Sequence, residues 1–152
     1  PACASCPLPT VCLAYRAGEV QRFPVKTKKL LRRFERWWLL MLRSQDASGR
    51  ERFWLERRPA PGIWAGLYCP PVFADEESLV AALPPPWREG LQGLEPVTHS
   101  LTHRELHLYP MLLDVEPDSN SLDASEARWV DADALGDHGL PTPVRQLLAR
   151  LI

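Results

Sequence analysis

Apolar and polar residues alternate along several short stretches of the chain, a period of two that is typical of β-strands. Residues 37–42 are a continuous apolar run, and residues 52–56 follow them after a short turn that contains a glycine. This order predicts a β-hairpin. Further along, Leu106, Leu108 and Leu112 stand at even positions, which predicts a strand over 106–115.

Helical patterns occupy the other apolar segments. Residues 78–83 follow three acids that suit the positive end of a helix, and the prolines at 84–86 are expected to end it. We expect a helical turn with Trp87 and Leu91, a strand at 127–130 and a helical turn at 131–135. Residues 141–152 predict an amphipathic helix whose apolar face holds Val144, Leu147, Leu148 and Leu151. The pattern predicts an α+β fold, a mixed β-sheet packed with helices.

A polar segment lies immediately ahead of the strand at 106–115. Residues 98–104 contain two threonines, a serine, two histidines and an arginine around a single leucine, Leu101. These side chains can hydrogen-bond to a ligand while the leucine wedges against it, so we predict a recognition loop. The alternatives are a metal-binding face or a polar strand edge, because His99, His103 and His107 would share one side of a continuous strand.

Composition limits the class of protein. The chain has 152 residues, enough for one domain with a buried core, and six tryptophans supply large apolar surfaces. No apolar run approaches the length needed to cross a bilayer. The first residues lack the pattern of a secretory signal. We therefore expect a cytoplasmic domain without membrane contact.

Charge is unevenly distributed, although the net charge is only -1. Between residues 22 and 36 a single acid, Glu35, stands among Arg22, Lys26, Lys28, Lys29, Arg32, Arg33 and Arg36. This surplus predicts an anion-facing patch, with a solvated linker as the alternative. Between residues 114 and 137 there are eight acids and a single basic residue, Arg128. We therefore expect this acidic segment not to contact phosphate groups.

Three of the four cysteines are clustered. Cys3, Cys6 and Cys12 follow the spacing Cys-x2-Cys-x5-Cys, whereas Cys69 lies beside an apolar segment. The short cysteine segment with its two prolines leaves too little room for a helix or strand, which favours a metal or cluster site. Disulfides are the alternative, disfavoured without a secretory signal. A closed site normally needs four ligands, so one ligand is missing from this group.

The segment after the cysteines has the composition of a linker. Residues 13–30 contain Gly18, Pro24, basic side chains and few apolar ones, which indicates a tether. We therefore divide the chain into a flexible cysteine-containing N-terminal segment, residues 1–30, and a folded domain, residues 31–152.

Six short motifs together resemble a known family. They are Cys-x2-Cys-x5-Cys, Phe23-Pro24-Val25-Lys26, Arg57-Arg58-Pro59, Gly62-Ile63-Trp64-Ala65-Gly66-Leu67, Thr102-His103 and Gly139-Leu140-Pro141-Thr142-Pro143-Val144. In this order they closely resemble the C-terminal part of bacterial adenine DNA glycosylases of the MutY type. The resemblance covers almost the whole chain. It implies a Nudix-like domain that recognises 8-oxoguanine in double-stranded DNA, while an N-terminal catalytic domain removes the adenine paired opposite.

The resemblance also gives the cysteines a role. The family's cluster motif is Cys-x6-Cys-x2-Cys-x5-Cys, which implies that Cys3, Cys6 and Cys12 are ligands of a 4Fe-4S cluster whose first ligand precedes residue 1. Residues 1–30 would then be a remnant of the cluster motif followed by the interdomain linker. Cys69 would pack as a buried thiol. In this chain alone we expect the cluster to be absent or incomplete.

The lesion-recognition residues implied by the resemblance are Leu101, Thr102 and His103, which match a Phe-Ser-His loop of the family. Two of the three positions differ, and Leu101 lacks the ring face that phenylalanine offers to a base. The candidate DNA contacts are Ser100, Arg104, Lys26, Lys28, Lys29, Arg57 and Arg58. No catalytic residue is assigned, since the resemblance places the catalytic carboxylates in the other domain.

A free-standing Nudix pyrophosphohydrolase acting on oxidised nucleotides is the alternative function. Its motif, Gly-x5-Glu-x7-Arg-Glu-x2-Glu-Glu, holds divalent metal through carboxylates. The sixth residue after Gly62 is Tyr68, and after Gly66 it is Val72, so the motif is not met. We therefore expect the parent protein to be the enzyme, hydrolysing an N-glycosidic bond, and this chain alone to be inactive. A generic protein-binding module is a third class without a supporting motif.

Overall fold

The structure, a computed structural model, describes residues 1–25, 32–116 and 127–152. It divides into two compact units, Pro1–Leu31 and Arg32–Ile152. The predicted roles of residues 1–30 as a cluster remnant with a linker and of residues 31–152 as a lesion-recognition domain stay predictions. None of the helices in the described ranges is long and apolar enough to cross a membrane.

The first unit contains short helical segments. A 3-10 turn spans Cys3–Ser5, helix α1 spans Leu13–Arg16 and a second 3-10 turn spans Val20–Arg22. The expectation that the cysteine segment has no room for a helix was wrong for Cys3–Ser5, and the predicted tether contains α1. Each segment is only three or four residues long, too short to leave a periodic apolar pattern in the sequence.

The second unit is built on a mixed β-sheet. Its strands in the described residues are β1 Arg33–Gln45, β2 Glu51–Arg57, β3 Tyr68–Cys69, β4 Val72–Phe73, β5 Gln92–Gly93, β6 Val97–Ser100, β7 Arg104–Asp114 and β8 Ala127–Asp131. The main order is β3-β2-β1-β7-β5, with β4 on β1, β6 on β7 and β8 on β2. The predicted mixed sheet is confirmed, and β1 is longer than the apolar run at 37–42.

The two longest strands, β1 and β7, form the centre of the sheet. They pair in parallel from Arg33 beside Arg104 to Arg43 beside Asp114. The predicted hairpin joins β1 to β2, and its turn contains Gly49 with a φ of 80°. Because β6 pairs with β7 on the other side, β7 is held along much of its length by neighbours on both edges.

Helices cover both faces of this sheet. They are α2 Glu76–Ala82, α3 Pro85–Arg88 and α4 Thr142–Leu148, with a 3-10 segment at Ala132–Asp137. Successive residues of a strand point to opposite faces. Leu39 and Met41 therefore pack in the same cluster as Val144 of α4, whereas Leu40 packs in a second cluster with Leu79 of α2.

The prolines at 84–86 also begin a helix. Pro85 and Pro86 are the first residues of α3, where the missing proline N–H is no loss because the first N–H groups of a helix have no partner within the helix. Leu91 lies beyond α3, and α4 ends at Leu148 rather than at the end of the chain. These boundaries depend on backbone hydrogen bonds that the apolar pattern does not specify.

The far end of β1 is tied to the C-terminus of the chain. The Arg43 guanidinium donates from Nε and Nη2 to the Asp114 carboxylate, at 2.7 and 3.0 Å, and from Nη1 to the carbonyl oxygen of Leu151 at 2.9 Å. The hydrogen bonds between Arg43 and Asp114 are the largest cause of a raised pKa of the guanidinium and a lowered pKa of the carboxyl group. The opposite end of β1, at Arg33, is the end that meets the polar segment at 98–104.

Candidate nucleic-acid interface

The segment predicted as a recognition loop is the tip of a β-hairpin. Strands β6 and β7 pair from Val97 beside Leu108 to Ser100 beside Glu105. The N–H of Leu101 donates to the carbonyl oxygen of Arg104 at 2.8 Å, which leaves Leu101, Thr102 and His103 at the turn. Residues 98–100 were expected in the loop but belong to β6. Their polar side chains conceal the strand in the sequence, because only one of its faces is half-buried.

The three tip residues differ in exposure. Thr102 and His103 are exposed, whereas Leu101 is half-buried and packs against the core cluster that contains Leu106 and Leu108. The expected role of Leu101 as a wedge would require that contact to be given up. The polar pair is therefore the part of the tip that is available to a ligand.

The start of β1 holds the tip in place. The N–H of Arg33 donates to the carbonyl oxygen of His103 at 3.0 Å. At the same end of the two strands, the side chains of Arg104 and Glu35 form an ion pair. The charge of Arg104, a candidate DNA contact, is thus already shared with a carboxylate. Ser100, a second candidate, is exposed on β6.

A cluster of aromatic rings braces β6 from one face. The Trp64 ring meets Trp37 edge to face, with centroids 5.4 Å apart, and lies 6.1 Å from the His99 ring. Trp64 has a φ of 59°, a backbone conformation that is costly for a bulky residue. The loop that carries it is closed by the Gly66 N–H, which donates to the Arg58 carbonyl oxygen at 2.9 Å. Aromatic packing thus sustains the strained residue beside the hairpin.

The two arginines at 57 and 58 have different surroundings. The Arg58 guanidinium lies over the Trp37 ring, 5.1 Å from its centroid, and its Nε is buried without a hydrogen-bond partner among the described residues. Arg57 is exposed, and its Nε donates to the Gly66 carbonyl oxygen at 3.3 Å. Arg57 is therefore the more accessible of these two candidate DNA contacts.

The three histidines do not share a face. His99 is beside Leu106 in the hairpin register and packs near Trp64, whereas His107 is on the other side of the sheet, with its Nε2 3.1 Å from a Glu105 carboxylate oxygen. His103 lies at the tip. A continuous strand would have aligned all three, but the turn places residues 99 and 107 on separate strands and opposite faces. The described ranges contain no group of three or more His, Cys, Asp or Glu residues that could hold a metal ion.

The cysteines of the first unit are not gathered into a site. The Cys6 thiol is exposed and its Sγ accepts a hydrogen bond from the Leu8 N–H at 3.4 Å, whereas Cys3 and Cys12 are half-buried. The three form no metal-holding group within the part of the chain that the structure describes. A 4Fe-4S cluster normally takes four cysteine thiolates, so these three residues can supply only part of its ligand set. Cys69 is fully buried in the second unit, which confirms its prediction as a packed thiol.

The acids before α2 serve the helix. The Asp75 carboxylate accepts a hydrogen bond from the Ser78 N–H at 2.7 Å, as an N-cap does, and this bond lowers the pKa of Asp75. Glu76 and Glu77 are exposed in the first turn. The helix thus uses one carboxylate for capping and turns the other two toward solvent.

Some of the predicted features lie outside the described residues. They are the candidate DNA contacts Lys26, Lys28 and Lys29 and part of the predicted acidic turn at 116–125.

Comparisons with known proteins give one domain family and a set of relatives. A model of the NUDIX domain matches residues 40–150. Curated relatives named adenine DNA glycosylase, from Buchnera aphidicola subsp. Schizaphis graminum and subsp. Acyrthosiphon pisum, are each 26% identical to this chain over 97% of its length. The chain spans 42% of the length of these relatives.

Solved structures share the fold. The C-terminal domain of mouse MUTYH, solved with human PCNA, has a TM-score of 0.61 at 21% identity and covers 75% of this chain and 84% of that chain. A Nudix hydrolase from M. smegmatis has a TM-score of 0.56 at 19% identity, with 77% and 83% covered. The predicted Nudix-like α+β fold is confirmed, as is the resemblance to adenine DNA glycosylases.

Proposed function

The chain belongs to the NUDIX domain family, and on this premise we propose that it recognises 8-oxoguanine in 8-oxoguanine:adenine mispairs of double-stranded DNA. It does so as the C-terminal part of an adenine DNA glycosylase of base excision repair. The hairpin tip at 101–103 carries this proposal, because its two exposed polar side chains stand where the family resemblance implies lesion recognition. The relatives named adenine DNA glycosylase support it.

The chemistry of the tip suits the oxidised base. In 8-oxoguanine N7 carries a proton and C8 carries an oxygen, whereas guanine offers a bare N7 acceptor in the major groove. The Thr102 hydroxyl can accept from the N7 proton of the lesion, a bond that guanine cannot form. His103 adds a second hydrogen bond or orients the turn. Because Leu101 is packed against the core, discrimination rests on the polar pair.

The rest of the enzyme lies in a separate domain. We infer that the parent protein hydrolyses the N-glycosidic bond of the mispaired adenine in an N-terminal catalytic domain, a partner of this chain. That protein acts on chromosomal DNA in the cytoplasm. Cys3, Cys6 and Cys12 would contribute to its 4Fe-4S cluster together with a ligand from outside this chain. Ser100, Arg104, Lys26, Lys28, Lys29, Arg57 and Arg58 remain the proposed DNA contacts.

The chain by itself is expected to be inactive. It carries no Nudix carboxylate motif, and we assign adenine removal to the other domain. Purified residues 1–152 should release no adenine from an 8-oxoguanine:adenine duplex. They should hydrolyse no oxidised nucleoside triphosphate with magnesium or manganese. Either activity would contradict this expectation if it persists after the protein is purified through a second affinity tag.

The proposed lesion recognition is tested by Thr102→Ala combined with His103→Ala in the full-length glycosylase. We expect the ratio of adenine removal opposite 8-oxoguanine to removal opposite guanine to fall about 5- to 150-fold, since a base contact contributes about 1–3 kcal/mol of discrimination. Single-turnover rates on both duplexes measure this ratio. The matched control is Thr142→Ala, an exposed threonine in α4. An unchanged ratio in a folded double variant would refute the proposal.

A further inference from the structure

An exposed aromatic ring lies beside the hairpin tip on the neighbouring strand. Phe34 follows Arg33, whose N–H holds the His103 carbonyl oxygen, and it stands beside Glu105 in the parallel register of β1 and β7. Phe34 is 72% exposed. Its ring meets the His107 ring at an inclined angle, with centroids 6.0 Å apart. One face of the sheet next to the tip therefore offers an accessible ring.

Exposure alone does not assign a role to a phenylalanine, because single apolar side chains are common on protein surfaces. The charges around Phe34 add a second observation. Arg32, Arg33 and Arg36 are all exposed, and Glu35, the acid between them, is engaged by Arg104. Since alternate residues of a strand share a face, Arg36 lies on the same side of the sheet as Phe34. A ring flanked by cations suits a nucleic-acid strand, whose bases stack and whose phosphates are negative.

The tip itself lacks an apolar ring, because its one aromatic side chain is the polar imidazole of His103. Leu101 has no aromatic face, and its side chain is packed against the core. The residues that follow it in the turn, Thr102 and His103, present polar groups. A nucleotide held by the tip would have its neighbour in the strand close to the start of β1, because Arg33 is hydrogen-bonded to the tip. Phe34 is thus placed to supply the apolar contact that Leu101 cannot supply.

We propose that Phe34 stacks on the nucleotide adjacent to the lesion in the same DNA strand, and that Arg36 binds the phosphate beyond it. This proposal rests on the proposed function and adds a second contact to it. The two contacts have different consequences. Stacking accepts any base, so Phe34 strengthens binding to damaged and undamaged duplex alike, whereas the tip distinguishes the two.

The test uses residues 1–152 and two duplexes that differ only in 8-oxoguanine or guanine opposite adenine. Each duplex carries 2-aminopurine next to that position. Fluorescence anisotropy is measured at low salt, where phosphate contacts are strongest. Phe34→Ala should weaken binding to both duplexes by the same factor, about 10-fold. Phe34→Trp should retain the affinity, and the 2-aminopurine emission, which reports base stacking, should change on binding of the unaltered chain and of Phe34→Trp but not of Phe34→Ala.

The matched control is Ile152→Ala, which also removes an exposed apolar side chain, 65% accessible. Its neighbour Leu151 is hydrogen-bonded to Arg43, at the opposite end of β1 from Arg33. This control should leave both affinities unchanged. Thermal unfolding of each variant verifies that the fold survives.

The outcomes separate this inference from the proposed function. Equal affinities of Phe34→Ala and the unaltered chain for DNA would overturn the inference. This holds even if the tip variant, Thr102→Ala combined with His103→Ala, loses its preference for the 8-oxoguanine duplex. Weaker binding by Phe34→Ala together with an unchanged selectivity of the tip variant would support a stacking contact and refute lesion recognition. If the unaltered chain binds neither duplex at low salt, Phe34 is not a DNA contact and the inference is wrong.

Discussion

Replacing Leu108 by alanine is expected to lower the free energy of unfolding by about 2–5 kcal/mol. Leu108 is fully buried in the core cluster. It stands beside Trp37 of β1 and Val97 of β6, so three strands meet at this position. The loss combines the transfer free energy of the removed methyl groups with the cavity that neighbouring strands cannot close. Urea unfolding monitored by tryptophan fluorescence measures the change.

The matched control is Leu8→Ala, the same substitution at a residue that is 59% exposed. Its effect should stay within about 0.5 kcal/mol. Because β7 leads directly from the hairpin tip, Leu108→Ala should also loosen the tip and reduce lesion selectivity in the full-length enzyme. A change in unfolding free energy as small as that of the control would mean that the core does not hold this strand.

Alkylation of Cys69 should be about a thousandfold slower than alkylation of an ordinary exposed thiol. Cys69 is fully buried in β3, and burial raises the pKa of its thiol to about 12 from an ordinary value of 9.0. The nearby Arg58 lowers this pKa and Glu56 raises it, but burial is the largest cause. Since only the thiolate reacts, the raised pKa leaves about a thousandfold less reactive species below the ordinary pKa. The buried position hinders the reagent further.

Iodoacetamide at about pH 8, followed by mass spectrometry, tests this expectation. The reduced native chain should gain three adducts quickly, at Cys3, Cys6 and Cys12. The fourth should appear only in denaturant, which is the control for intrinsic reactivity. Rapid modification of Cys69 in the folded chain would show that β3 opens readily or that its thiol is ionised.

The order of elements was accessible from the sequence because it depends on near neighbours along the chain. The apolar run at 37–42 and the turn after it specify the β1–β2 hairpin. The acids and the serine around residue 75 specify the start of α2 through a local cap. The motifs that carry the family resemblance are likewise local. They therefore identified the Nudix-like domain, whereas the role that they imply for Leu101, Thr102 and His103 stays a prediction.

The surroundings of the tip could not be predicted in this way. Leu101, a proposed wedge, packs against the core, and Arg58, a proposed DNA contact, lies over the Trp37 ring. Neither contact is visible in the sequence, and both roles stay predictions. The alternative of a shared histidine face is excluded, because His99 and His107 lie on opposite faces of the sheet. Each difference arises from contacts between strands, which a one-dimensional pattern does not contain.

The fold class and the main strands and helices were predictable from the amino-acid sequence, since they follow from local periodicity, capping and short motifs. Which side chains stand together at the site depends instead on long-range pairing between strands. The parallel register of β1 and β7 brings Arg33 to His103 and Phe34 beside Glu105. Those pairs are about seventy residues apart in the chain. Their proximity results from burying Leu39, Met41, Leu106 and Leu108 in one core, because that burial fixes which residues of the two strands lie side by side.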